Sequence, residues 1–404
     1  MKVIVLGAGG MGRYAARTAV EFPFVEELVV ADLDESAAKR FAEELGDKAS
    51  ASRVDVTDPA DLARVLDGAT AVLNTVGPFF RLGPPVLEAA IAAGCHYLDI
   101  NDDWESTEAM FAMSEDARRG GITAVVGMGA SPGMSNLLAV TAIEELDEVH
   151  AVYPGFDLDA AMPESRGDRP SAASVHGVHQ LTGKIRVFDG GRMVEESPMR
   201  RIDLDYPGLG MRAGYTMGHP EAITLHRYYP TLERSLIVMT IDRTSLWGMR
   251  AIGTLVDWGV ISVETAAGWV ETLEGVGKPV KTPADYVEEL TREDSIKLPP
   301  VFAMATGTKN GKPASAAAAI LSAPATGMGG ATGVPLAVGL AALRPDGELR
   351  RGVFAPEGIV DRREFFDLLA PLCSPAKRDT DDLLLVSRSW EDTDLRAKLR
   401  ALAP

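Results

Sequence analysis

Aromatic side chains are scarce in this sequence, at 6%, and only two cysteines, Cys95 and Cys373, occur in 404 residues. Two thiols cannot build a disulfide framework, and no Cys-x-x-Cys or Cys/His cluster of ligand spacing is present, so no structural metal is expected. Cys95 lies between an apolar helical run and a strand, which reads as a small buried thiol. Basic charge is also in deficit: 40 Lys and Arg stand against 58 Asp and Glu, a formal net charge of −18. Such a surface repels phosphate backbones and anionic lipid, which argues against nucleic-acid and membrane partners. No apolar run approaches the roughly 20 residues that span a bilayer. Met1-Lys2 leads directly into a strand rather than a secretory leader, so a cytoplasmic enzyme is the expectation.

What the sequence does have is alanine, glycine and 46% apolar residues, enough for more than one core in a two-domain chain. The first 150 residues alternate β-rich runs with helical stretches. Strands are expected at Val3–Leu6, Leu28–Ala31, Ala51–Val56, Ala71–Thr75, Tyr97–Ile100 and Thr123–Val126. Helices are expected at Arg13–Glu21, Glu35–Leu45, Pro59–Leu66, Pro84–Ala93 and Glu105–Arg119. That alternation implies βαβ units with right-handed crossovers, an α/β doubly wound parallel sheet. Beyond about residue 150 strands dominate. Asp157–Pro170 reads as a loop or boundary. Asp189-Gly190-Gly191 and Lys309-Asn310-Gly311-Lys312 read as hairpin turns, and Leu236–Ile241 and Val301–Thr306 as strands. Ala325–Gly333 reads as a turn before a helix at Pro335–Leu343. The second part is therefore expected to be a mixed α/β substrate domain.

Gly7-Ala8-Gly9-Gly10-Met11-Gly12 follows the first strand and opens a helix. Gly7 permits the tight turn, Gly9 lets backbone approach a pyrophosphate, and Gly12 lets helix pack on strand. Gly10 and Met11 complete the loop, and the helix N-terminus offers N–H groups to phosphate. Asp32 stands 20 residues beyond Gly12 at the end of the second strand, where a carboxylate accepts from the adenine-ribose hydroxyls and repels a 2′-phosphate. Asp34 and Glu35 follow, with no arginine beside them, so the cofactor is expected to be NAD, with NADP less favoured. Asp55 and Val56 can flank the adenine. Asn74, Thr75, Gly77 and Pro78 end the fourth strand at the edge where such sheets bind ligands.

With the glycine turn, three further segments resemble the saccharopine dehydrogenase/lysine 6-dehydrogenase group: Asn74–Phe79, His96-Tyr97-Leu98-Asp99 and Gly129–Asn136. Gly307–Lys312, Ala331–Pro335 and Gly352–Glu357 agree in the same order. The resemblance implies NAD(P)-dependent oxidation of a C–N bond in an amino acid or amine, or the reverse reduction of an imine. It implies a homodimer and a split architecture: a Rossmann domain over residues 1–130 to which the chain returns in about 325–404, and an inserted substrate domain over 131–324. Ser131 departs from the group at the residue before Pro132-Gly133. Where relatives carry a Thr-x-Arg pair facing substrate, this chain reads Thr240-Ile241-Asp242 with Arg243 one place later.

Hydride transfer from an amine needs a neutral amine, a positioned carbon and a group to handle protons. Asp99, beside Asn101, Asp102 and Asp103, is the first candidate base; the same acids can cap the following helix. His179, three residues after His176, and His219 are further candidates in the second domain. Ser131-Pro132-Gly133-Met134 opens a helix whose N–H groups can hold substrate, and Tyr215, with Tyr215–His219 as a closing loop, joins Thr240 and Arg243 as substrate contacts. Lys184, Arg186 and Arg212 are alternative carboxylate clamps. The competing readings are an imine reductase that condenses an amine with a carbonyl compound, and a non-catalytic NAD sensor.

Overall fold

The computed structural model describes residues 1–158, 170–274, 283–292, 295, 297–324, 327–344, 349–391 and 395–402. It divides into two compact units, Met1–Met134 with Ala323–Lys377, and Ser135–Ser322 with Arg378–Pro404.

The first unit begins β1 (Lys2–Leu6), α1 (Gly10–Ala19), β2 (Glu27–Asp32), α2 (Glu35–Leu45), β3 (Ala49–Arg53), α3 (Pro59–Leu66), β4 (Ala71–Asn74), α4 (Phe79–Ala93), β5 (His96–Asp99), α5 (Trp104–Ala112), α6 (Ser114–Arg119) and β6 (Thr123–Val125). The apolar runs Val3–Leu6 and Ala71–Leu73 are buried on both faces, as parallel strands covered by helices require. Asp34 caps α2 by accepting from Ala37 N–H, and Asp58, followed by Pro59, caps α3. Gly94 ends α4 in the left-handed region.

The chain then forms the second unit: α7 (Met134–Glu144), β7 (Glu148–Asp157), α8 (Ala172–His179), β8 (Ile185–Asp189), β9 (Arg192–Glu196), β10 (Arg201–Tyr206), β11 (Gly210–Thr216), α9 (Glu221–Thr224), β12 (Arg234–Ser235), β13 (Val238–Thr240), α10 (Arg243–Asp257), α11 (Val263–Glu274), α12 (Pro283–Thr291), β14 (Val301–Lys309) and β15 (Lys312–Ile320). It returns to the first unit as β16 (Ala323–Pro324), α13 (Gly327–Val338), β17 (Gly352–Phe354), α14 (Arg362–Leu369) and β18 (Cys373–Ser374), and ends in the second as α15 (Thr380–Leu383), β19 (Leu384–Arg388) and α16 (Leu395–Leu402).

The first sheet has the order β17-β6-β5-β4-β1-β2-β3 and is parallel throughout, the doubly wound arrangement expected. The second is a ten-stranded mixed sheet in which β14 pairs with β7 and β15, and β19 pairs with β15. Its hairpin turns carry the positive φ pairs a two-residue reversal needs: Gly190 and Gly191, and Asn310 (53°) and Gly311 (70°). Val187, Leu236, Val238, Phe302 and Met304 lie in its core.

Several expectations shift. The first helix starts at Gly10, not Arg13, so the last glycines of the turn are already helical. The third strand is Ala49–Arg53, which leaves Asp55 and Val56 in the following turn. The fourth helix starts at Phe79 and carries Pro84 and Pro85 inside it. Glu105–Arg119 divides at Met113 into α5 and α6. Leu236–Ile241 is two short strands, β12 and β13. The expected Ala325–Gly333 turn is mostly α13, because Gly333 packs its backbone against α1; residues 325–326, like 159–169 of the Asp157–Pro170 loop, lie outside the described residues.

A Cβ on Gly333 would stand 2.2 Å from the Met11 carbonyl oxygen, whereas one on Gly248, in α10, would meet nothing within 4 Å. Gly333→Ala should therefore destabilise the chain by about 1–3 kcal/mol, and Gly248→Ala should stabilise it by about 0.5–1 kcal/mol through helix propensity. Urea unfolding of both variants checks this; shifts of the same sign would show that the α1–α13 approach is slack.

Candidate functional site

In the first unit, β1 ends in a turn built for close backbone approach. Gly7 has φ 96°, and a Cβ on it would meet Thr75 Oγ1 at 2.7 Å. A Cβ on Gly12 would stand 1.9 Å from the Gly7 carbonyl oxygen, so strand and helix touch backbone to backbone. Gly9 and Gly10 are exposed, and a Cβ on Gly9 would meet nothing within 4 Å. Open backbone at a helix N-terminus is what a pyrophosphate needs, and α1 has no acid in its first turn to compete. The cradle fits a dinucleotide. Met11 is partly buried within it.

Asp32 ends β2 with Oδ2 accepting from Ala8 N–H at 2.7 Å and Oδ1 from Asp34 N–H at 2.9 Å. It thereby ties the glycine turn to the second strand, and the cap of α2 is Asp34, not Asp32. An arginine does stand near, contrary to the reading along the sequence: Arg53, on β3, is the register partner of Asp32. Asp55 is spent on its own turn, accepting from Thr57 N–H and Oγ1; those bonds hold its carboxyl below the usual range, and Val56 is partly exposed beside it.

Thr75 Oγ1, just past the end of β4, donates to the Leu6 carbonyl at 2.7 Å and so braces the glycine turn, while Gly77 and Pro78 are partly exposed before α4. Asn74 is buried: its Nδ2 donates to Tyr97 Oη at 3.1 Å and its Oδ1 accepts from Val76 N–H. Tyr97 Oη donates to Asp99 Oδ2 at 2.8 Å. Asp99 Oδ1 accepts from Gly127 N–H at 2.7 Å and Asn101 N–H at 3.1 Å. The relay runs across β4, β5 and the end of β6. Burial pushes the Asp99 carboxyl up to about 6, against the pull of those donors. Asp103 receives Phe80 N–H at 3.0 Å, so this acid serves the first turn of α4 rather than its own helix.

Ser131-Pro132-Gly133 forms a tight loop closed by Gly129 N–H to Pro132 O and Met134 N–H to Gly129 O. Gly133, at φ 120°, is required there, since a Cβ would stand 2.2 Å from Gly129 O. Helix α7 starts at Met134, so Ser131 is not its cap, and the Met134 N–H is committed to the loop.

The second unit contains a buried triad that sequence reasoning only half found. His219 Nδ1 lies 2.5 Å from Glu221 Oε2, and Ser135 Oγ donates to Glu221 Oε1 at 2.5 Å. Both His219 and Glu221 are buried, with Phe156 tilted against the imidazole at 5.9 Å. A buried carboxylate needs such partners, and short contacts of this kind are charge-assisted. Glu221 and Ser135 were missed; the available signal was His219-Pro220-Glu221, an acid two residues past a histidine. The segment expected to close as a loop is instead core: Tyr215 and Thr216 belong to β11, and Met217 and His219 are buried. Tyr215 is partly buried, with the Arg250 guanidinium over its ring at 5.8 Å.

His176 and His179 both lie on α8, the first buried and the second partly so. Thr240 is buried at the end of β13, in register with Asp157, and its Oγ1 has no hydrogen-bond partner among the described residues. Lys297 Nζ lies 3.4 Å from Asp157 Oδ1. Arg243 is exposed in the first turn of α10. Arg212 is buried and donates to the Leu290 carbonyl at 3.5 Å, near the end of α12, which suits a helix C-terminus better than a carboxylate clamp. Cys95 is buried, and burial pushes its thiol up to about 12. No helix among the described residues is long and apolar enough to cross a membrane.

The parallel sheet and its glycine cradle define a dinucleotide-binding domain of the Rossmann type. Residues 3–125 match the family model "Saccharopine dehydrogenase NADP binding domain", the group that the glycine turn, Asn74–Phe79 and His96–Asp99 resemble. It is 24% identical over 311 residues to carboxyaminopropylagmatine dehydrogenase of Synechocystis sp., across 73% of this chain and 76% of that one. Its fold matches saccharopine dehydrogenase (L-Glu forming) from Saccharomyces cerevisiae with a TM-score of 0.57 at 14% identity, covering 96% and 99% of the two chains. It matches homospermidine synthase from Legionella pneumophila, solved with NAD, with a TM-score of 0.56 at 11% identity, covering 97% and 91%.

The raised Asp99 pKa makes a pH prediction. The folded chain binds that proton more tightly than the unfolded chain, so this group's contribution to stability falls as pH rises from 3.8 towards about 6. Asp99→Asn should lack that slope. Urea midpoints of both proteins across the window should converge at low pH and separate above it in favour of the variant's flatter curve; parallel curves would sink the assignment.

Proposed function

We propose that the chain oxidises a C–N bond of an amine or amino acid with NAD as the preferred acceptor, or reduces the corresponding imine. Bound in the cradle of the first unit, the nicotinamide supplies the hydride acceptor or donor. Gly7, Gly9, Gly10, Met11 and Gly12 hold the pyrophosphate, Asp32 accepts from the adenine ribose, Asp55 and Val56 border the adenine, and Asn74, Thr75, Gly77 and Pro78 edge the nicotinamide end. The second unit supplies substrate and proton handling.

The observation that carries the reading beyond cofactor binding is the buried Ser135–Glu221–His219 chain. Glu221 on Nδ1 fixes the imidazole tautomer, so His219 moves protons through Nε2, taking one from the amine as the C–N bond is oxidised and returning it in reduction. Thr240, with a buried hydroxyl that lacks a partner among the described residues, is the favoured substrate contact, with Tyr215 and His179 as further ones. Ser131 to Met134 shape the edge of the first unit. Asp99 acts as a positioning residue, because its oxygens hold Tyr97, Asn101 and Gly127. Arg243 is exposed and displaced by one residue from the Thr-x-Arg spacing, which favours amines over a clamped α-carboxylate. The buried Glu–His pair favours a proton-handling enzyme over a sensor without catalysis. The names of the relatives support condensation of an amine with a carbonyl compound as the alternative direction, and the resemblance supports a homodimer.

Gly12→Val should abolish NADH binding, and Asp32→Ala should weaken it about tenfold, the loss of one charge-assisted hydrogen bond. Unchanged affinity in Asp32→Ala would refute the ribose assignment. A panel of amines and amino acids with NAD at about pH 9–10, where the neutral amine is populated, should yield NADH. Glu221→Gln and His219→Asn should then lower kcat by roughly 10²–10⁴ with NADH affinity intact; a wild-type rate in either variant would remove the proton-handling role. If NADH is consumed only when a second amine and a carbonyl compound are both present, the condensation direction is the working one.

A further inference from the structure

Two guanidinium groups meet one carboxylate at the adenosine end of the first unit. Arg53 Nη1 donates to Asp61 Oδ2 at 3.1 Å, and Arg64 Nη2 donates to Asp61 Oδ1 at 3.0 Å. Asp61 Oδ2 also accepts from Asp55 N–H at 3.1 Å, and Arg64 Nη2 reaches the Arg53 carbonyl at 2.7 Å. Asp61 is thus engaged on both oxygens and largely sheltered, while half of the Arg53 side chain is open to solvent. It lies three residues before Arg64 on α3, so the helix itself presents the acid to both cations.

The placement matters because Arg53 is the register partner of Asp32, the residue that ends the neighbouring strand. Adjacent parallel strands run about 4.8 Å apart. A cation one strand over from the ribose-reading acid stands beside the place of a 2′-substituent. A phosphate there would want the planar, bidentate donor that arginine offers. In this chain Asp61 already holds that guanidinium through Nη1, Asp32 is its register partner, and Glu35 and Asp55 also lie within reach of its charge.

We propose that Asp61 is the residue that sets the choice between NAD and NADP, by engaging Arg53 and denying it to a ribose 2′-phosphate. The proposal rests on the dinucleotide reading of the first unit. NAD has no group for Arg53 to meet, so its affinity depends little on whether Asp61 is charged. NADP acquires a guanidinium partner, and escapes a repelling carboxylate, when Asp61 is neutral.

The test is direct titration of NADH and NADPH binding, by calorimetry or by nucleotide fluorescence, on wild type, Asp61→Asn, Arg53→Ala and the double variant. Asparagine keeps the side-chain shape and an acceptor for Asp55 N–H. Asp61→Asn should shift the NADPH-over-NADH preference towards NADPH by about tenfold, the effect of one added charge-assisted hydrogen bond. In the Arg53→Ala background the same substitution should shift it by less than about twofold, since coupled residues are non-additive when one acts through the other. An unchanged preference in Asp61→Asn overturns the proposal. An equal shift in both backgrounds also overturns it, because Asp61 would then act without Arg53. A purely structural role would weaken both nucleotides together and leave the preference where it was. Wild type binding neither nucleotide would instead overturn the dinucleotide reading itself.

Discussion

The contact between Gly12 and the Gly7 carbonyl governs the first unit. With no side chain at either residue, α1 leaves the end of β1 close enough that any Cβ would overlap the strand's own carbonyl oxygen. Thr75, just past β4, reinforces this by bonding Leu6, and Gly333 repeats it where α13 comes against the backbone of α1. The exposed backbone of Gly9 and Gly10 is useful because everything behind it is fixed. Loosening the helix on the strand would cost the preorganised donors first and stability second.

Buried carboxylates mark where each unit accepts a desolvation cost. Asp99 gathers a tyrosine hydroxyl and two backbone N–H groups at the ends of β5 and β6, and its pKa still rises, so its donors do not fully replace water. Glu221 is matched by a serine hydroxyl and an imidazole at short range. The contrast separates their roles. Asp99 is bonded within its own sheet edge and orders it. Glu221 is bonded to an imidazole, and the proposed proton-handling role rests on that pair.

The proposed adenosine edge places opposing charges on two neighbouring strands, Asp32 ending β2 and Arg53 ending β3. In the proposed reading Asp32 would favour a ribose with its hydroxyls intact, and Arg53 beside it would favour a phosphate. In the proposal Asp61 arbitrates, because its carboxylate holds Arg53 through Nη1 and offsets the charge a phosphate would need. The matched family model is described by NADP and a structural neighbour was solved with NAD, so the fold alone does not decide between the two cofactors.

The glycine turn, Asp32, the strand–helix alternation and the Asp-Gly-Gly and Asn-Gly reversals were legible in the sequence because each is a local requirement of backbone conformation or of apolar periodicity. The helical state of Gly327–Val338 was not, since glycines and a proline argue against a helix until Gly333 is seen to pack on α1. Asp99 could be named but not weighed, because its burial and its bonds to Tyr97 and Gly127 depend on three strands coming into register. Glu221 and Ser135 lie 86 residues apart, and Arg53 lies 21 beyond Asp32; no spacing rule joins them. The sequence by itself determined that a dinucleotide cradle and a parallel sheet form. Only the tertiary structure decided which acids meet a histidine, a tyrosine or an arginine, since those meetings are set by strand register and helix packing rather than by neighbours along the chain.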